Sequence, residues 1–265
     1  MSAPVSRPEA TGSPWVPLVV FVLASFVFSG VLGVVQGLSG VDAELLTFAQ
    51  FGPALGAALT WIAFRKRLRA FMPEAVSGRQ VGAHTVLMVL AVAVFAAISV
   101  ALVLATGGEI EGVAAVAGSP FVLYLVLQLV GATGEEIGWR GFMQPALESR
   151  MRRFTAALAT GAVWAVWHVQ IFTAGPAVAG AFIVSTLAFS VLLAFMGNGS
   201  AWQRILTAAI GHWLINVSLH TVAGERVNES PQVYITVAAG VVTAAVFLAL
   251  FAAAQRKRRA KAVPA

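Results

Sequence analysis

Two adjacent glutamates and an arginine stand directly after a long apolar run in this chain of 265 residues. Glu135 and Glu136 follow the stretch FVLYLVLQL, and Arg140 comes four positions after Glu136. Four positions are slightly more than one turn of a helix, so Glu136 and Arg140 can pair on one face, whereas Glu135 is rotated from Glu136 by roughly 100°. A carboxylate in surroundings of low dielectric constant can act as a general base that activates water. We expect this role for Glu135, with the Glu136–Arg140 pair orienting the segment.

Two further groups each combine a histidine with a second residue four positions away. Trp164 and His168 lie in VWAVWHVQIF, and His212 and Asn216 lie in IGHWLINVSL. A histidine beside the same water can help to deprotonate it, which is the role expected for His168. A histidine N–H and an asparagine amide can donate hydrogen bonds to a developing oxyanion, the role expected for His212 and Asn216. Together these residue types are sufficient for the hydrolysis of an amide bond.

A metal site is an alternative use of the same side chains. Glu135, His168 and His212 are acceptable zinc ligands and would leave one coordination position for water. The His-Glu-x-x-His motif of soluble metalloproteases is absent from the sequence. The sequence therefore favours metal-free catalysis and leaves zinc or another divalent metal open.

Each group taken singly also has an ordinary structural interpretation, as a salt bridge at a helix end, a histidine packed between tryptophans or a hydrogen bond between helices. These interpretations weaken when the groups are taken together, because ionisable residues inside membrane segments are rare and indicate a function by default. The remaining histidines fit none of the groups and are expected at the membrane interface: His84 and His220.

The elements that must position these residues are long apolar helices. Hydrophobic residues make up 59% of the chain and charged residues 11%, against about 25% charged residues in a soluble domain. Eight apolar runs come near the roughly 20 residues that cross the hydrocarbon core of a bilayer. The predicted fold is an all-α polytopic membrane protein of about eight transmembrane helices, with the active site inside the bundle. The runs cover about 15–37, 43–64, 82–106, 119–137, 154–174, 177–196, 203–222 and 232–254.

One membrane domain at 15–254 accounts for most of the chain in this prediction. A disordered cytoplasmic tail is expected at 1–14 and a basic cytoplasmic tail at 255–265. The chain has no cysteine, which excludes disulfides, thiolate metal ligands and a cysteine nucleophile.

The basic residues predict how the chain is oriented in the cell membrane. If both termini are cytoplasmic, every lysine and arginine except Arg226 faces the cytoplasm, while acidic residues such as Glu109 and Glu225 lie outside. This arrangement satisfies the positive-inside rule, and the inverse breaks it. Because the basic charge is spread over short loops and one tail, nucleic acid is not expected as a partner.

Straight helices in this topology would not bring the three groups together. The glutamates lie at the cytoplasmic end of the fourth run, whereas His168 lies nearer the outer end of the fifth. The groups can meet only if the glutamate segment folds back into the membrane or the true helix boundaries differ from the predicted ones.

The order of the three groups resembles the CPBP family of intramembrane endopeptidases, which includes the type II CAAX prenyl proteases and the bacteriocin-processing Abi proteins. EEIGWRGF looks like the first family motif, in which two glutamates are followed by an arginine after three residues. The second motif is an aromatic residue, usually Phe, before a histidine, and Trp164 takes the aromatic position here. The third is a histidine followed after three residues by Asn or Asp. All three occur in the family's order over 135–216.

The resemblance implies an intramembrane endopeptidase in which a glutamate and a histidine activate water, with the later His and Asn near the oxyanion. The substrate would be a peptide or a membrane-associated protein, and the lipid bilayer is the other partner. The family has been described both as glutamate-type and as metal-dependent. The catalytic residues expected on this basis are Glu135, Glu136, Arg140, His168, His212 and Asn216.

Two other classes of function remain open. One is a proton-coupled transporter that uses the Glu and His side chains as a relay; many transporters contain an internal repeat, and the sequence shows none. The other is a catalytically inactive membrane scaffold or immunity protein that keeps the same fold.

Overall fold

A computed structural model describes residues 13–113 and 115–262 of the chain. The predicted tail at 1–14 therefore lies almost entirely outside the described residues, as do residues 263–265. Regular structure in the described part is helical except for one isolated bridge between Val116 and Ser119. This confirms the predicted all-α class.

The α-helices of the described residues are α1 (Trp15–Ser39), α2 (Gly52–Leu68), α3 (Gly78–Ala105), α4 (Phe121–Gly138), α5 (Gln144–Glu148), α6 (Arg153–Trp167), α7 (Pro176–Met196), α8 (Ala201–Ala223) and α9 (Gln232–Ala262). Short 3-10 segments cover Phe48–Phe51, Val169–Ala174 and Gly224–Asn228, and a π-helical turn covers Trp139–Met143.

Six helical stretches in the described part are long and apolar enough to cross a membrane. They are Trp15–Ser39, Gly78–Ala105, Phe121–Glu148, Pro176–Met196, Ala201–Asn228 and Gln232–Ala254. The second and fifth predicted runs also contain helices, but α2 has 17 residues and α6 has 15, which is short for a full crossing. The chain is a polytopic membrane protein, and the predicted count of eight spans is approximate.

Capping boxes fix the start of two long helices. Ser77 at the start of α3 accepts from the backbone of Gln80, and Ser200 at the start of α8 accepts from the backbone of Gln203. The side-chain amide of Gln203 also bonds both backbone groups of Val76, at 2.9 and 2.8 Å. The two helices therefore begin at the same end of the bundle, and they pack side by side.

The loops that carry charge gather at opposite ends of the bundle. At one end the Arg150 guanidinium lies 5.9 Å from the ring centre of Phe71, and Arg153 bonds the carbonyls at the end of α7. At the other end Arg226 pairs with Glu111 at 3.5 Å. The helices thus run in the alternating directions that the sequence predicted.

The fourth predicted run ends too early. The helix does not stop near residue 137 but continues through the π-helical turn and α5 to Glu148, which gives one stretch of 28 residues. At about 1.5 Å per residue, Glu135 lies about 20 Å from the end of this stretch, and His168 lies about 22 Å from the start of α6. The glutamates and His168 therefore reach a similar depth, because the true helix boundaries differ from the predicted ones, which is one of the two conditions under which the groups can meet.

Candidate active site

Glu136 stands at the centre of a buried cluster of charge. Its Oε1 accepts a hydrogen bond from Nη1 of Arg140 at 2.8 Å and a second from Nδ1 of His212 at 2.9 Å. Glu136 is fully buried, and Arg140 and His212 are 1% and 4% exposed. A buried charge is tolerated only when it is paired in this way.

Arg140 is a part of the site rather than of a cytoplasmic loop, so its predicted place among the cytoplasm-facing basic residues is wrong. Its guanidinium lies 4.5 Å from the ring centre of Trp164, which is a cation–π distance. Its Nε and Nη2 have no hydrogen-bond partner within the described residues, and the same holds for Oε2 of Glu136. The side chains of the cluster are therefore held in place by hydrogen bonds, while some of their polar atoms keep unused bonding positions.

Glu135 is also buried, but only neutral groups bond its side chain. Oε2 accepts from the indole Nε1 of Trp164 at 2.7 Å, and Oε1 accepts from Nε2 of Gln50 at 3.0 Å. A carboxylate offers about four acceptor positions, so each oxygen keeps one for a further donor. The two glutamates, adjacent in sequence, thus receive different partners, as the 100° rotation between them predicted.

His168 is held by the helix that it terminates. The α6 helix ends at Trp167, and Nδ1 of His168 bonds the carbonyl oxygen of Trp164 at 2.9 Å. A carbonyl oxygen can only accept, so Nδ1 carries the proton and Nε2 of a neutral ring is an acceptor. Trp164 therefore bonds Glu135 through its indole and orients His168 through its backbone.

His212, like His168, is held through Nδ1, but its partner is the side chain of Glu136. Because Oε1 of Glu136 pairs with the guanidinium of Arg140 and is an acceptor, Nδ1 of His212 is the donor and Nε2 is left for another group. Trp164 packs its ring edge-on against His212, with centroids 5.1 Å apart.

A cavity of about 90 Å³ lies beside these residues, between α6, α7, α8 and α9. Its polar lining includes His168, His212 and Asn216, and its apolar lining includes Phe182 and Phe189. Trp164, which donates to Glu135, packs its ring against both histidines. A cavity of this kind, with polar groups converging in an apolar wall, is the usual form of a small binding site.

Asn216 is oriented by a residue from another helix. Its Nδ2 donates to Oε1 of Gln128 on α4 at 3.3 Å. An amide nitrogen carries two hydrogens, so one N–H of Asn216 remains for a group in the cavity that it lines.

The proposed zinc ligands do not form a metal-binding cluster. In the part of the chain that the structure covers, no three His, Asp or Glu side chains are grouped so that they could hold a metal ion. Both oxygens of Glu135 are already bonded. His168 and His212 each present Nε2 with Nδ1 bonded to an oxygen, as metal-ligating histidines do, but the third ligand is not in place. No catalytic step is therefore derived through a metal.

The sequence motifs missed two polar residues of the site, Gln50 and Gln128. Each is a lone amide within an apolar run, and both are 8% exposed. A polar side chain at such a position requires a partner, and this was the signal that could have found them.

The comparisons with known proteins concern the same part of the chain. Residues 117–218 match the family model "Type II CAAX prenyl endopeptidase Rce1-like". The chain is also 32% identical over 114 residues to "CAAX prenyl protease 2" of Methanococcus maripaludis, which is 39% of this chain and 42% of that protein. The chain thus spans less than half of the length of the curated relative that it matches. The matched segment contains all six predicted catalytic residues, and in this segment the chain is similar to type II CAAX prenyl endopeptidases.

Proposed function

We propose that this chain is an intramembrane endopeptidase that hydrolyses a peptide bond with an activated water molecule. The observation that carries the proposal is the pair of fixed histidines, each with Nδ1 bonded and Nε2 left to a shared cavity. Glu135 accepts a hydrogen bond from Trp164, which also lines this cavity, and its oxygens keep spare acceptor positions. The match of residues 117–218 to the CAAX prenyl endopeptidase family model supports the same reaction class.

In the proposed mechanism, Glu135 and His168 take a proton from a water molecule in the cavity as its oxygen attacks the carbonyl carbon of the substrate. The carbonyl π bond opens, and the negative charge develops on its oxygen. The second N–H of Asn216 and a protonated Nε2 of His212 donate hydrogen bonds to this oxyanion. The proton taken from water then passes to the nitrogen of the leaving amine as the C–N bond breaks.

Charge balance supports a proton held within the site. Two carboxylates, Glu135 and Glu136, face one permanent cation, Arg140. Counting formal charges, one additional proton among Glu135, His168 and His212 would make the buried cluster neutral, and buried charges are costly unless they are compensated. This is the proton that the mechanism moves, while the Glu136–Arg140 pair keeps His212 in its donating orientation.

The substrate is a peptide or a membrane-associated protein. The proposal is tested by mapping new protein N-termini in membranes from cells that produce the wild type, the Glu135→Ala variant or the Glu109→Ala variant, which changes an exposed glutamate. Cleavage products should occur with the wild type and Glu109→Ala and be absent with Glu135→Ala. Identical products from all three would instead indicate an inactive scaffold.

Purified enzyme can be tested with two internally quenched peptides that differ only in a farnesylated C-terminal Cys-aliphatic-aliphatic-X sequence. The relative's name, CAAX prenyl protease 2, motivates this pair. Cleavage of the farnesylated peptide alone would assign a prenylated substrate, and cleavage of both would assign a broader peptide substrate.

The proposed orientation places both termini in the cytoplasm. Reporter fusions after Arg69, Arg153 and Arg259 should report the cytoplasm, and fusions near Glu109 and Glu225 should report the outside. Reports of the same side from Arg69 and Glu109 would contradict this topology.

A further inference from the structure

The connection between α1 and α2, residues 40–51, reaches the site from outside the segment that matches the family. Gln50 lies in its 3-10 segment and donates through Nε2 to Oε1 of Glu135 at 3.0 Å. The Oε1 atom of Gln50 has no hydrogen-bond partner within the described residues. Donation to Glu135 is therefore the contact that fixes this amide.

The neighbouring helix leaves room for that amide. A Cβ added to Gly131 on α4 would lie 2.2 Å from Oε1 of Gln50, and one added to Gly134 would lie 2.9 Å from the backbone oxygen of Gln50. Any side chain at Gly131 would have to displace the amide. The absence of a side chain at Gly131 and the hydrogen bond to Glu135 thus favour the same position of the Gln50 amide.

The same connection is tied to the other half of the site. Gln128 donates through Nε2 to the carbonyl oxygens of Glu44 and Leu45, at 3.4 and 3.2 Å, and accepts from Asn216 through Oε1. Gln36 of α1 anchors the connection from behind, since it donates to the carbonyl of Leu46 at 2.8 Å and accepts from the backbone N–H of Phe48 at 2.7 Å.

We propose that the α1–α2 connection is a positioning element of the active site. Gln50 orients the carboxylate of Glu135. Gln128 bonds both the connection and Asn216, so it fixes the side chain of Asn216 relative to the connection. This inference rests on the proposed peptidase function. Without Gln50, Trp164 holds only one oxygen of Glu135, so the carboxylate can turn away from the water; a misplacement of about 1 Å can cost about 100-fold in rate.

The test uses four variants of the full chain and a quenched peptide that the wild type cleaves. Gln50→Met keeps length and removes the donor, and should lower kcat by about 10- to 100-fold with KM roughly unchanged. Gln50→Glu keeps the size of the side chain and replaces the neutral donor by a second carboxylate, so it should lower kcat at least as much as Gln50→Met. Gly131→Ala should resemble Gln50→Met, and the matched control Gly30→Ala, whose Cβ meets open space, should resemble the wild type. Wild-type kcat in Gln50→Met or in Gln50→Glu would overturn the proposal.

The proposed role of Gln128 in positioning Asn216 is tested separately. Gln128→Met should lower kcat alone but add little to the loss in Asn216→Ala, because both changes act on the same donor. Full additivity of the two losses would remove Gln128 from the positioning element.

Failure of the proposed function can be recognised separately. If the wild type cleaves no protein or peptide, thermal unfolding of Gln50→Met, Glu135→Ala and the double variant still tests the link between the connection and Glu135. Non-additive changes in Tm would support this link, and additive changes would overturn it.

Discussion

Two ionic clusters each include a glutamate of the continuous helical stretch Phe121–Glu148, and they differ in what they leave unpaired. The site cluster consists of Glu135, Glu136, Arg140 and His212. The end cluster consists of Glu148, Arg153 and Arg204. In the end cluster, Oε2 of Glu148 accepts from Arg204 at 2.7 Å, and Oε1 accepts from Gln144 and lies 3.4 Å from Nε of Arg153.

The difference leads us to expect chemistry at the site cluster rather than at the end cluster. The end cluster lies where two loops meet, and its arginines are also bonded to carbonyls at the end of α7 and at Gly199. The site cluster lies at the depth of a cavity, and within the described residues it keeps unpaired atoms on Glu136 and Arg140. Buried groups with unused bonding positions require an explanation such as catalysis.

The largest contrast is expected between Glu135→Gln and Glu148→Gln. Loss of a general base should reduce kcat by about 10²–10⁴-fold, while the isosteric amide leaves Tm nearly unchanged. Glu148→Gln should leave kcat within about twofold, since it is remote from the cavity. Peptide cleavage and thermal unfolding of both variants check this, and equal activity of Glu135→Gln and the wild type would end the general-base assignment.

Glu136→Gln should lower both the stability and the activity of the protein. It leaves Arg140 buried without its counter-charge, which costs about 3–5 kcal/mol, and it removes the acceptor that orients His212. Thermal unfolding should show the largest drop in Tm of all the variants, together with a loss of activity in the folded fraction. A stable and active Glu136→Gln protein would contradict the pairing role.

Asn216→Ala tests the oxyanion contact inside the site cluster's cavity. We expect kcat to fall by about 10²–10³-fold with little change in KM.

EDTA or o-phenanthroline should leave wild-type activity nearly unchanged. Elemental analysis of the wild type, His168→Ala and His212→Ala is the control: stoichiometric zinc that is lost in either histidine variant would overturn the metal-free mechanism.

Glu148→Gln should also destabilise, but less than Glu136→Gln. The side chain of Glu148 is 16% exposed, so water can solvate part of what the substitution leaves unpaired. We expect a loss of about 1–3 kcal/mol in the free energy of unfolding. A larger loss than in Glu136→Gln would reverse the comparison of the two clusters.

Trp164→Phe is expected to have the smallest effect. It introduces the residue that is usual at this motif position and removes one of the two donors to Glu135. The ring contacts with Arg140 and His212 remain, so we expect a loss of about 3- to 10-fold in kcat, equivalent to about 1 kcal/mol. Combined with Gln50→Met, which removes the second donor, the two losses should be non-additive because both changes act on the same carboxylate.

The fold class, the apolar runs and the pairing of Glu136 with Arg140 could be predicted because hydropathy and helix periodicity are local properties. The continuation of the helix to Glu148 could not, because Arg140, Gln144 and Pro145 resemble the polar exit of a span. Pro145 is tolerated since it stands in the first turn of α5. The contact between Gln50 and Glu135 joins residues 85 positions apart, and no periodicity within either segment encodes it.

The π-helical turn changes the direction in which the side chains after it point, relative to the side chains before it. In an ideal α-helix, the positions of Glu136 and Glu148 would point about 120° apart. A π turn accommodates one additional residue, which reduces that angle to about 20°. Both glutamates can then face α8, where His212 and Arg204 meet them, and α8 comes close to the turn at Gly141. Removal of one residue from Trp139–Met143 would convert the turn into ordinary α-helix and keep the angle of about 20°. Conversion to α-helix at the present length would instead restore the angle of about 120° and rotate one cluster away from α8.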